Sequence, residues 1–95
     1  MDWNFDQAQN VAAITTKQVI KEGFPILQVI HYSDDHSWAF MCGTTWEAEN
    51  SMVVGMGMIV STDDSLHEVA DLEPGWIAER ESKEDKWKRY KDEEV

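Results

Sequence analysis

The stretch PILQVIHYSDDHSWAFMCG, residues 25–43, decides how this chain folds. It contains two runs rich in β-branched and aromatic residues, 25–32 and 38–43, parted by SDDHS. Two such runs separated by five turn formers predict a β-hairpin. Alternation along the second run puts Trp38, Phe40 and Cys42 on one face and Ala39 and Met41 on the other. Asp34 and Asp35 stand where a loop favours side chains that bond their own backbone and tolerate unusual dihedrals. The same loop also raises metal and catalytic readings, because it gathers two carboxylates, an imidazole and two hydroxyls.

Upstream, residues 1–9 read as a loosely held arm pinned by Trp3 and Phe5. NVAAITT (10–16) reads as a first strand. In the following TKQVIKEGF, Thr15 or Thr16 can cap a short helix, Val19 and Ile20 give it an apolar edge, and Gly23 ends it. Downstream, TTWEAENS (44–51) is a polar connection. MVVGMGMIV (52–60) is apolar all round, and two glycines would each cost a helix about 1 kcal/mol. That predicts a central strand, with Gly55 and Gly57 forming a flat strip where something packs closely. STDDSLHEVADLEPG predicts a helix capped by Thr62 or Asp63, with Leu66, Val69 and Ala70 buried and Pro74-Gly75 as the stop. GWIAERE (75–81) alternates like a strand. The charged tail, with Trp87 and Tyr90 one helical turn apart, predicts a short helix that docks both rings.

The expected architecture is therefore α+β: a mostly antiparallel sheet of about five strands, two helices packed on it and a C-terminal helical tail. All 95 residues form a single domain, with 1–9 and 91–95 loosely ordered. Its core should contain Trp38, Phe40, Ile59, Leu66, Trp76 and Ile77.

The net charge is −11, and its distribution is uneven. Residues 1–78 carry twelve acids against two bases, Lys17 and Lys21, whereas residues 79–95 carry seven acids and six bases. A one-signed acidic body repels nucleic acid and anionic membrane and attracts basic proteins. No apolar run is long enough to span a bilayer. The start, MDWNFDQAQN, is acidic and polar, unlike a signal peptide. The single cysteine, Cys42, excludes an internal disulfide and fits a cytoplasmic setting.

Each chemical reading of the polar residues is weak. His31, Asp34, Asp35 and His36 lack a zinc-ligand spacing and the glycine of a calcium loop, so no metal or cofactor is expected. Cys42 sits mid-strand, where cysteine packs as a small hydrophobe. Ser33 and Ser37 flank His36 without a nucleophile elbow, and the GMG of 55–57 lacks the rest of a phosphate loop. His67 falls on the predicted acidic helix as a surface residue. No catalytic residue is expected, although a hydrolase using His36 with Asp34 or Asp35 is the weakest of three alternatives. A second alternative is a ligand-sensing domain with a pocket lined by Trp38, Phe40, Trp46 and Trp76.

HYSDDHSWAFMCG, with its histidine, acidic turn, Trp-x-Phe and glycine, resembles a pattern in small bacterial domains similar to the immunity-protein-like families of polymorphic toxin systems. VVGMGMIVSTDDSLHEVADLEPGWIAERE resembles their second half, where an aspartate-led helix ends at Leu-x-x-Gly before Ala-x-Arg, and Trp87 matches a trailing tryptophan. The likeness covers about residues 10–88. Ser37 stands where that group usually has glycine or aspartate. The resemblance implies a fold and a protein-neutralising role, and it carries over no active site. The leading expectation is a non-catalytic binding module that engages a basic protein, with a homodimer as a further option. Its contact residues would be Asp34, Asp35, Glu47, Glu49, Asp63, Asp64, Glu68 and Asp71, in loops or on the outer side of a helix, with Trp46 as the aromatic anchor.

Overall fold

The computed structural model describes residues 3–43 and 48–95. The hairpin forms from β2 (Gln28–His31) and β3 (Trp38–Met41), with Val29 opposite Phe40 and His31 opposite Trp38. Its loop is closed by the Tyr32 N–H donating to the Ser37 carbonyl at 2.9 Å. Asp34 Oδ1 accepts from the Asp35 N–H at 2.8 Å, and Asp35 Oδ1 from the Ser37 N–H at 3.0 Å. The unusual dihedral falls on His36, at φ 59°. The loop is a turn built by its own carboxylates, with His36 exposed.

Before the hairpin lie β1 (Ala12–Thr16) and α1 (Lys17–Glu22). Thr16 is the cap: its hydroxyl oxygen accepts from the Val19 N–H at 3.3 Å and its hydroxyl donates to Cys42 Sγ at 3.5 Å. Gly23 ends the helix at φ 72°, a left-handed conformation natural to glycine. Thr16→Ala removes both contacts in a buried setting and should cost ~1–2 kcal/mol, read as a lower urea midpoint at unchanged slope.

The apolar run after the hairpin corrects the expected central strand. It splits into β4 (Ser51–Gly55), at the edge of the sheet, and α2 (Met56–Ser61). No side chain caps α2. Instead the Met56 N–H donates to the Val11 carbonyl and the Gly57 N–H to the Gln9 carbonyl, at 2.8 and 2.9 Å. A helix start satisfied by the N-terminal arm is a tertiary device that local sequence cannot display. The close packing expected at the glycines is present: a Cβ on Gly57 would lie 3.1 Å from the Gln9 side chain.

The predicted acidic helix is a 3-10 helix, Asp64–Val69, whose buried Leu66 and Val69 recur at its period of three. After the turn at Gly75 come β5 (Trp76–Glu79) and β6 (Lys88–Lys91). The tail is thus a strand, correcting the expected helix. Tyr90 pairs with Ile77 on β5, while Trp87 stacks under Arg80, 4.0 Å from its guanidinium carbon. Residues three apart in a strand face opposite ways, so one helix face was never needed to seat both rings. Burial, and then the hydrogen bond and charge of Glu79, push the Tyr90 pKa up to about 12.

Among the described residues, six strands form one mixed sheet in the order β4-β1-β3-β2-β5-β6. Only β1 and β3 are parallel, since β1 passes over its sequence neighbour β2 to lie beside β3. The α+β class holds, but the sheet has six strands and is mixed, where about five mostly antiparallel strands were expected. The helices cover one face, over Ala13, Val29, Trp38, Phe40 and Ala78. Phe5 of the arm is part of this core, 4.9 Å from Trp38 in an edge contact. Of the six expected core residues, five are buried and Trp76 is half-buried. No helix among the described residues is long and apolar enough to cross a membrane.

Candidate functional site

Two polar clusters lie inside the fold, and both are fully engaged there. Arg80, only 6% exposed, extends from the end of β5 toward the start of the 3-10 helix. Its Nε and Nη2 donate to the Ile26 carbonyl, Nη2 also to Asp63 at 2.8 Å, and Nη1 to Ser65 Oγ and the Lys83 carbonyl. Five contacts match the five N–H groups of a guanidinium, so none is left for a ligand. Asp63, buried as the cap of the 3-10 helix, also accepts from the Ser65 N–H and hydroxyl. Burial pushes its carboxyl up, but the bonds from Ser65 and the charge of Arg80 outweigh this and hold it below the ordinary carboxylate range.

The second cluster is centred on His31, 2% exposed and stacked on Trp38 with centroids 4.0 Å apart. Nδ1 lies 2.7 Å from the Leu72 carbonyl, and Nε2 lies 3.0 Å from Asp6 Oδ2. A carbonyl only accepts, so Nδ1 carries a proton. Nε2 meets the carboxylate off-axis, as an ionic contact lacking a straight hydrogen bond. Both nitrogens thus face acceptors, the arrangement that an imidazolium completes. The ring offers no lone pair to a substrate. Asp6 also accepts from Trp38 Nε1 at 2.8 Å, which ties the arm to the hairpin.

The clefts are open. One of about 500 Å³ lies between the α1–β2 connection and the β5–β6 loop, with Phe24, Ile26, Glu81, Lys83 and Glu84 in its walls. Another of about 540 Å³ is rimmed by Glu79, Glu81, Asp85, Lys86 and Lys88. Both rims mix signs, so neither builds a strong field for a charged ligand.

A field of one sign is built elsewhere. The hairpin loop, the turn before β5 and the chain after β6 meet at one end of the sheet. The Gly75 N–H donates to the His31 carbonyl at 2.7 Å, the Asp92 N–H to the Gly75 carbonyl at 2.9 Å, and Ser33 Oγ to the Val95 carbonyl at 2.7 Å. These contacts gather Asp34, Asp35, Glu73, Asp92, Glu93 and Glu94. The segments 32–37, 73–75 and 92–95 contain no lysine or arginine, and Lys91 flanks them. Burial, then the charges of Asp34 and Asp35, raise the Tyr32 hydroxyl above its ordinary value. Among the described residues, no three His, Cys, Asp or Glu converge to hold a metal ion. The acids are spread as a surface.

The structure therefore divides the expected contact residues. Asp34 and Asp35 lie on this acidic pole. Asp63 is buried and paired with Arg80, which corrects its placement on an outer surface. Asp71 is exposed but bridged by Arg89 at 2.8 Å, and Arg89 also donates to the Glu68 carbonyl. Glu49 and Asp64 are exposed at other places in the fold. Trp46 and Glu47 lie outside the described residues. The aromatic pocket does not form from Trp38 and Phe40, which are fully buried. Glu73, Asp92, Glu93 and Glu94 were missed because the tail was read as a balanced helix. The signal was there in the uninterrupted acids of 92–94. Comparison with known proteins finds no matching family model, no matching curated protein and no matching solved structure.

Proposed function

We propose that this chain is a non-catalytic protein-binding module that takes a basic protein surface onto its acidic pole. The supporting observation is the meeting of three separate segments, six acids in all, with no cation within them. Acids spread over a surface suit a partner's spread lysines and arginines better than a single ion. The engaged states of Arg80 and His31 favour binding over catalysis. The likeness of residues 31–43 and 53–81 to immunity-protein-like domains fits the same role, in which an acidic inhibitor covers a basic toxin.

The test uses octalysine as a cationic probe. Reversing the pole with Asp34→Lys, Asp35→Lys, Asp92→Lys and Glu93→Lys should weaken binding ~10-fold or more and flatten its salt dependence. A control of equal charge change, Glu22→Lys, Glu49→Lys, Asp64→Lys and Glu68→Lys, should lose much less. Equal losses in the two variants would reduce the pole to a share of the net charge and sink the proposal.

A further inference from the structure

The two edges of the sheet are built differently. β6 carries Lys88, Arg89 and Lys91 among its four residues, the charged edge that deters pairing with another chain. β4, SMVVG, carries no charge, and Val53 on it is 69% exposed. Beside it on α2, Met58 is 50% exposed. Four tracts of ten or more residues lack Asp, Glu, Lys and Arg: 7–16, 23–33, 36–46 and 50–62. The first three hold β1, β2 and β3, all interior strands. The fourth holds β4, which has the composition of an interior strand and the position of an edge. Among the described residues nothing pairs with its outer side.

We propose that β4 pairs antiparallel with β4 of a second copy of this chain. Centred on Val53, the pairing sets Val53 against itself, Met52 against Val54 and Ser51 against Gly55, so apolar residues meet in the middle and small or polar ones at the ends. Self-pairing brings no like charges into contact, because charges are absent from 50–62. A basic partner, by contrast, gains nothing from an uncharged edge. The pairing also extends an existing pattern. Val53, Ile14, Ala39, Ile30, Ile77 and Tyr90 are successive register partners across the six strands, and the two-fold continues that row into the second sheet.

One five-residue strand and its side chains fall short of the roughly 800 Å² per partner of a standard interface, so the dimer is weak and concentration-dependent. Its salt dependence is opposite to that of the acidic pole. Two bodies of charge −11 repel, and salt screens that repulsion. Sedimentation velocity should show a monomer at low micromolar concentration and a growing dimer toward ~0.5 mM, stronger in ~0.5 M salt than in ~0.05 M. Val53→Lys gives this edge the protection that β6 has and should abolish the dimer while leaving the circular dichroism spectrum unchanged. Val53→Cys should form a disulfide-linked dimer under mild oxidation, because residues opposite each other across an antiparallel pair lie ~4.5–5.5 Å apart at Cα, within disulfide range. Lys88→Cys, on the guarded edge, should not. Cys42 is buried and leaves this readout clean. A monomer throughout in high salt with no Val53→Cys cross-link overturns the proposal. So does a dimer that survives Val53→Lys, or an edge that instead takes a strand of a different protein.

Discussion

Arg80→Met should lower the unfolding free energy by ~3–5 kcal/mol, because it leaves Asp63 buried without its counter-charge and strands the Ile26 carbonyl. That is much of the roughly 5–15 kcal/mol typical of a small domain, so the variant should be partly unfolded near body temperature. Arg80→Lys keeps the charge but has three N–H donors for five contacts, and should fall between the two. The double variant Arg80→Met with Asp63→Leu removes both buried charges and should recover part of the loss. Urea denaturation of the four proteins measures all of this, and an unchanged midpoint for Arg80→Met would contradict the role assigned to the guanidinium. The pH dependence has a definite sign. The Asp63 carboxyl is lowered in the folded protein, so its contribution is complete above the ordinary carboxylate value near ~4 and is lost as pH falls through the lower folded value. Asp63→Asn should therefore show a flatter loss of stability on acidification, from a lower starting point.

Trp38→Ala should be comparably severe, at ~3–5 kcal/mol. The ring is fully buried, stacked on His31 and Phe40, and its N–H holds Asp6. Trp38→Phe separates packing from hydrogen bonding. It keeps most of the apolar volume and loses the bond to Asp6, so the arm should loosen before the core does. Amide exchange should report this as faster exchange at residues 5–9 with little change in β2 and β3. Equal acceleration across the sheet would show that the arm and the hairpin open as one unit.

The hairpin, the Thr16 and Gly23 caps of α1, the turn at Pro74-Gly75 and β5 were legible because local residue chemistry decides them. Two elements were not. α2 begins where it does because Val11 and Gln9 offer carbonyls to Met56 and Gly57, a contact across more than forty residues. β6 is a strand because β5 presents an edge to it, although its lysines and arginine suit a helix equally well. For the acidic pole, Asp34 and Asp35 could be read from the loop. Their joining with Glu73 and residues 92–94 depended on the tail folding back beside Gly75. Asp63 looked like a surface acid because its partner, Arg80, lies seventeen residues away.

The placement of β1 has a consequence for the newly made chain. Both of its neighbours, β3 and β4, are encoded after it, and β4 ends 39 residues beyond Thr16. At a synthesis rate of about 5–20 residues per second, the first strand waits about 2–8 s before its second partner exists. For that interval Ala12–Thr16 is an apolar segment beside a ribosome with its ladder unmade. The hairpin can close on its own, but the sheet's centre cannot be assembled until the ribosome has passed Gly55. A nascent chain stalled before that point should be readily cleaved by protease within residues 1–24, and one stalled well after it should resist.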